Sequence, residues 1–250
     1  MNNVRTIHAA AATALLLGVS CAHASCSALP GWGALKAALQ GAVAAEGSGL
    51  DLQMWATLVD RDGVVCAVAF SGSDRGAQWP GSRVISAQKA NTANAFSLDS
   101  LALSTANLYS AVQPGGSLFG LQESNPVDTS VAYGGEPAQY GTPSDPMTGK
   151  RIGGVNVFGG GLALYDSNRK VIGAVGLSGD TSCADHMMAW RVRNRLNLDN
   201  LAGVGGVSGD AQRPDNIIYD INPATDKSAG GFGHPRCINT TSPKSLIAVQ

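Results

Sequence analysis

The sequence predicts an α+β fold in which helices cover both faces of one antiparallel sheet. Two hairpin signatures carry this, at residues 52–70 and 162–177. Each is a pair of apolar strand runs joined by a tight polar turn, and hairpins pair antiparallel. Helical stretches with apolar faces stand before, between and after them, and such a face must be buried against the sheet. The composition agrees: 44% hydrophobic and only 14% charged residues supply a core and exclude a disordered chain.

The elements follow in order. Trp32, Leu35, Leu39 and Val43 recur at helical spacing, so residues 31–46 are expected to be a helix. Leu52, Met54, Ala56 and Leu58 alternate with Gln53, Trp55 and Thr57, the period of a strand. Arg61-Asp62-Gly63 turns the chain into a nearly all-apolar strand at 64–70, expected to be covered on both faces. Ser82 is expected to cap a helix running to about Phe96. A short helix over 101–112 ends at Pro114-Gly115-Gly116. Residues 113–161 are rich in Gly, Pro, Ser and Asn, and a loop this long in a compact domain usually serves function. Strands at 162–166 and 171–177 flank a turn at 167–170, and a helix follows at 182–197. The remainder, 198–250, reads as a loop-rich extension packed on the domain, with one strand at 216–221.

The first 24 residues read as a signal peptide. Arg5 gives a positive n-region, Ala9 to Val19 an apolar stretch, and Ala22-His23-Ala24 a small-residue cleavage site. The alternative is a lipoprotein acylated at Cys21, although Gly18 stands where a lipobox wants a branched apolar residue. The protein is therefore expected to be secreted or periplasmic. The domain is expected over 25–197. No later run approaches the roughly 20 apolar residues of a membrane span. Removing the leader takes away Arg5 and no acid, which moves the net charge from −1 to −2. Without a basic stripe, nucleic acid is not an expected partner.

Cys26, Cys66, Cys183 and Cys237 remain after cleavage. Four thiols in an exported chain suggest up to two disulfides, with three connectivities open. Cys183 with Cys237 is preferred, because that bridge would staple the Gly-rich tail to the domain, and Cys26 with Cys66 is the remainder. The alternative for Cys183 is a reactive thiol in the first turn of a helix. There is no CxxC, no CxxCH, no phosphate loop and no GxSxG elbow.

Four stretches together resemble the GlcG/HbpS-like proteins, the haem-degrading-domain family. They are "VDRDGVVCAVAFSG" at 59–72, "SAQKANTANAFS" at 86–97, "GGVNVFGGGLALYD" at 153–166 and "VIGAVGLSGDTSCADH" at 171–186. The resemblance implies a profilin-like α-β-α layered sandwich and a haem-binding protein. It does not cover 25–50 or 198–250.

The candidate site lies at the strand-to-helix junction, residues 178–186. Free N–H groups at a helix start favour an anion unless Asp180 or Ser182 caps them. Ser178, Gly179, Asp180, Asp185 and His186 are the expected ligand-binding residues here. Lys89 and Thr92, one turn apart on the earlier helix, are expected to meet a carboxylate such as a haem propionate. Gly160 and Gly161 let backbone approach a ligand or another subunit closely, the alternative being a tight entry to the hairpin. His186 and His234 are the two histidines outside the leader and the expected haem-iron ligands. The alternative is that His186 is a helix-surface residue hydrogen-bonded to Asp180 or a neighbouring loop. A second functional reading is an enzyme acting on a small organic acid, with His186 as general acid and base. A third is a homo-oligomeric scaffold.

Overall fold

The computed structural model describes residues 26–250. The expected leader over 1–24, with Cys21, lies outside them.

Helix α1 (Trp32–Val43) buries Leu35 and Leu39 of the expected stripe, together with Ala38 and Ala42. Strands β1 (Trp55–Asp60) and β2 (Val65–Phe70) form the first hairpin. Helix α2 (Ser82–Phe96) follows. Two single-turn helices, α3 (Leu121–Ser124) and α4 (Thr129–Ala132), sit within the long loop. Strands β3 (Gly161–Tyr165) and β4 (Val171–Ser178) make the second hairpin, and α5 (Ser182–Arg195) leaves it.

The four strands form one antiparallel sheet in the order β2-β1-β4-β3. The two hairpins therefore join through their first and last strands, and Trp55 pairs with Ser178. Helices α1 and α5 cover one face and α2 the other, an α-β-α sandwich. Met54, Ala56, Leu58, Val175 and Leu177 point to the first layer, whereas Trp55, Val59 and Ala174 point to the second. Covering both faces explains why β1 is buried along its whole length.

Helix α2 lies unusually close to the sheet, and glycines allow it. A Cβ on Gly176 would come within 2.0 Å of Ser86 O, and one on Gly161 within 2.5 Å of Lys89 O. Only glycine fits where one backbone presses on another.

Four local expectations are corrected. Ser82 is the first residue of α2 rather than its cap: the N-cap is Gly81, and Ser82 Oγ accepts from Gln78 Nε2 instead. The cap of α5 is Thr181, whose side chain accepts from Ala184 N. Residues 101–112 form two 3₁₀ turns, Thr105–Leu108 and Ser110–Val112, because Ser104 and Asn107 close a capping box on each other and Asn107 Nδ2 is drawn to Asn216 O. The strand expected at 216–221 shrinks to Ile221–Asn222 paired with Lys227–Ser228. The preceding residues are occupied elsewhere: Asp215 binds Arg193 and Asn216 meets His186.

The long loop is anchored rather than free. Arg83 Nε donates to Asp145 Oδ2 at 2.8 Å, both side chains being buried, and Val65 N donates to Lys150 O, which covers the β2 edge. The tail is anchored too. Arg193 pairs with Asp215 in full burial, Trp190 Nε1 donates to Ile247 O, and Leu246 enters the main core. Disulfides join Cys26 to Cys66 and Cys183 to Cys237.

Candidate functional site

Where β4 ends and α5 begins, a cleft of about 490 Å³ opens. Its floor is polar: Lys89 from α2, Ser178 from β4, and Asp180, Ser182 and Asp185 from the junction. Its apolar walls are Trp79, Ile85 and Phe158. Trp79 is 51% exposed and Phe158 41%, so both rings present apolar surface at the cleft. Phe158 and Asn156 come from the end of the long loop, so that loop supplies one wall.

The floor is held by charge. Lys89 Nζ donates to Asp185 Oδ2 at 2.7 Å, and each residue is only 2% exposed. Asp185 Oδ1 accepts from Asp180 N at 2.9 Å. Burial raises the Asp185 carboxyl to about 6, against the opposing pull of Lys89. The Asp180 carboxylate accepts N–H groups from Leu50, Leu52 and Thr181. Asp180 thus ties the β1 approach to the junction rather than capping α5.

The remaining expected residues have structural partners. Thr92 Oγ1 donates to Gln88 O and accepts from Asn156 N, so it fixes the loop behind the cleft. Gly160 lies against the floor: a Cβ there would stand 3.0 Å from Asp185 Cβ and 3.1 Å from Lys89 Cδ. Gly161 is pressed under α2, and Gly179 O accepts from Gln78 Nε2. Both glycines of the 160–161 pair contact the chain's own helices.

His186 is not in the cleft. It is fully buried, and its Nε2 lies 3.2 Å from Asn216 Oδ1 and accepts from Ile217 N at 3.2 Å. Among the described residues its Nδ1 has no hydrogen-bond partner. Burial pushes its pKa down to about 3. His234 is also buried, with Nδ1 2.7 Å from Pro235 O and Gly159 N donating to Nε2. Burial lowers it to about 4. Neither imidazole lines the cleft, so the structure brings neither His186 nor His234 to its floor as an iron ligand or as an acid-base group. The reason is the tail, which folds over α5 and takes up both rings. Cys183, bridged to Cys237, has no free thiol for nucleophilic chemistry. Among the described residues two groups of close metal-ligating atoms occur, Cys183 with His234 and Cys237, and Cys26 with Asp60 and Cys66. Each contains both sulfurs of a disulfide, so neither is a metal centre in this state.

The model of the family described as "Haem degrading protein HbpS-like" matches residues 31–193. The chain belongs to the HbpS-like family. Every residue lining the cleft lies inside that match, whereas His234 and Cys237 lie beyond it. This HbpS-like chain is similar to three solved structures. One is the Klebsiella pneumoniae protein ORFY, 26% identical, with a TM-score of 0.45, covering 67% of this chain and 90% of that one. The second is a PduOC:haem complex, 22% identical, TM-score 0.46, covering 66% and 91%. The third is a double mutant of Streptomyces reticuli HbpS, 15% identical, TM-score 0.42, covering 76% and 99%. No protein of curated function matches the chain. None of the described helices is long and apolar enough to cross a membrane.

Sequence reasoning missed Trp79, Ile85, Asn156 and Phe158. Two signals were available: an aromatic residue before Pro80-Gly81 at a helix start, and another directly before three glycines. Neither has a periodicity that would mark it as core.

Proposed function

We propose that this protein is an exported binding protein that holds haem, or a similar flat carboxylated ligand, in the cleft at 178–185. One observation carries the reading. Two exposed aromatic side chains, Trp79 and Phe158, flank a cleft whose floor holds the buried Lys89–Asp185 pair. Concave sites with apolar walls and a few convergent polar groups are the usual form of a small-molecule site. The walls suit the faces of a planar ring, and Lys89 suits a carboxylate at its edge. Family membership supports haem as the ring. The two disulfides and the leader-like 1–24 segment support export.

The donor set does not fit an iron atom. Among the described residues no His, Met, Cys or Tyr lines the cleft; His186 is buried beneath the tail with Nε2 held by Asn216 and Ile217, and His234 is buried within the tail with both ring nitrogens against backbone. Binding is therefore read as recognition of the ring and its carboxylates, without a histidine on the iron.

Titration with haem and with iron-free protoporphyrin IX tests this. Both are expected to bind with affinities within about threefold of each other, because ligation supplies less than about 0.7 kcal/mol of the binding. His186→Ala is expected to leave the haem spectrum unchanged, and Trp79→Ala to weaken both porphyrins about tenfold, an aromatic contact of about 1.4 kcal/mol. Absence of binding by either porphyrin refutes the reading. Loss of the haem spectrum in His186→Ala refutes the ring-recognition mode.

A further inference from the structure

The floor of the cleft poses a problem of charge. Among the described residues Lys89 is the one cation lining it, and it is already paired. Its partner Asp185 is buried on α5, and Asp180 stands beside it with a second carboxylate. A ligand carboxylate would make three anions around one ammonium, in a place where unpaired charge is expensive. Asp180 offers no relief, because its charge is satisfied by N–H groups of Leu50, Leu52 and Thr181. Asp185 differs. Its Oδ1 accepts one backbone N–H, and its Oδ2 has only Lys89.

We infer that a carboxylate ligand binds in this cleft by taking Lys89 from Asp185, which takes up one proton from solvent as it is displaced. The inference rests on the reading of the cleft as a carboxylate site. The balance is simple. Before binding, Lys89 is paired with the Asp185 carboxylate. Afterwards it is paired with the ligand carboxylate, and Asp185 is a neutral acid whose new O–H donates to that ligand. The net charge of Lys89, Asp185 and the ligand carboxylate after binding is zero, equal to that of the original pair. Oδ1 keeps its bond from Asp180 N throughout. A carboxyl already raised to about 6 by burial is well suited to this exchange near neutral pH.

The groups facing Asp185 are few. Lys89 comes from α2 and Asp180 from the β4–α5 junction. His234, from the tail, is near Lys89 and stays neutral down to about 4 because it is buried. Asn156, Ser178 and Ser182 carry no charge. Asp185, raised to about 6, changes charge within pH 5.5–8. A propionate-type ligand carboxyl, with a pKa of about 4.3 like that of Glu, stays ionised throughout.

The test uses protoporphyrin IX and its dimethyl ester on the intact oxidised protein. Affinity is measured by tryptophan quenching from pH 5.5 to 8, and proton uptake by calorimetry in buffers of different ionisation enthalpy. For the acid, Kd is expected to rise about tenfold per pH unit above 6 and to level off below it, with uptake approaching one proton at pH 7.5. The ester is expected to show no uptake and a flat profile. Asp185→Asn is expected to bind the acid with a flat profile, and more tightly than the natural chain at pH 8. Binding of the acid without proton uptake, or an unchanged pH profile in Asp185→Asn, overturns the exchange and leaves the binding function standing. Failure of both porphyrins to bind removes the cleft's proposed function, and the exchange with it.

Discussion

Lys89 and Asp185 meet at 2.7 Å although 96 residues separate them, and their bond ties α2 to the first turn of α5 across the end of β4. Helices on opposite faces of the sheet are thus held by one buried ion pair on the floor of the cleft. Such a pair specifies geometry more than it stabilises, but breaking it leaves a buried charge.

Lys89→Met should therefore cost about 3–5 kcal/mol at pH 7.5, the usual penalty for orphaning one partner of a buried pair. The penalty should shrink at pH 5, where Asp185, its pKa raised above the unfolded value, accepts a proton and becomes neutral. Urea unfolding at the two pH values checks this. Equal penalties at both would show that Asp185 is not the group left behind.

The two buried histidines should make the fold acid-sensitive. Each has a folded pKa below the ordinary value of 6.5, His186 at about 3 and His234 at about 4. The unfolded chain therefore binds more protons between those values and 6.5. Their contribution is complete above about pH 6.5 and is lost as pH falls toward 4, by at most about 1.4 kcal/mol per pH unit for each ring. Asp185 acts in the opposite direction, because its raised pKa favours the folded state as pH falls toward 4. His234→Asn should lower the net slope between pH 6 and 4.5. A slope identical to that of the natural chain would rule out a neutral His234.

The tail should depend on two separate fasteners. Arg193→Met orphans Asp215 in full burial and should cost about 3–5 kcal/mol. Replacing Cys183 and Cys237 together by Ala opens a bridge of sequence separation 54 and should cost about 2–4 kcal/mol. Limited proteolysis should then cut first within 198–250 in both variants. Cutting that starts instead in 113–161 would place the weakest segment elsewhere.

Gly176→Ala should be among the most damaging single-methyl additions in the chain. The new Cβ would lie 2.0 Å from Ser86 O and 2.4 Å from Ala90 N, both backbone atoms of α2. Overpacking of a tight core costs about 1–3 kcal/mol, and here the helix carrying Lys89 must move. Thermal unfolding and porphyrin affinity should both fall. Loss of stability with unchanged affinity would show that Lys89 does not depend on this contact.

Much of this architecture was legible along the chain. Alternating and continuous apolar runs located both hairpins, and the stripe of Leu35 and Leu39 located α1, because burial period reports element type directly. The short 3₁₀ turns after Leu101 were not legible, since Ser104 and Asn107 favour a closed capping box over a longer helix only once Asn216 arrives from the tail. The junction at 178–186 was recognisable from its crowded functional groups. Which of them face the cleft was not.

The sequence by itself determined the layered α+β class, the family and the chemistry available at the β4–α5 junction, because these depend on local pattern and residue type. Only the tertiary structure decided that Lys89 and Asp185 share the floor while His186 and His234 lie beneath the tail. Helix rotation and the path of 198–250 set those directions, and both follow from packing between segments far apart in the chain.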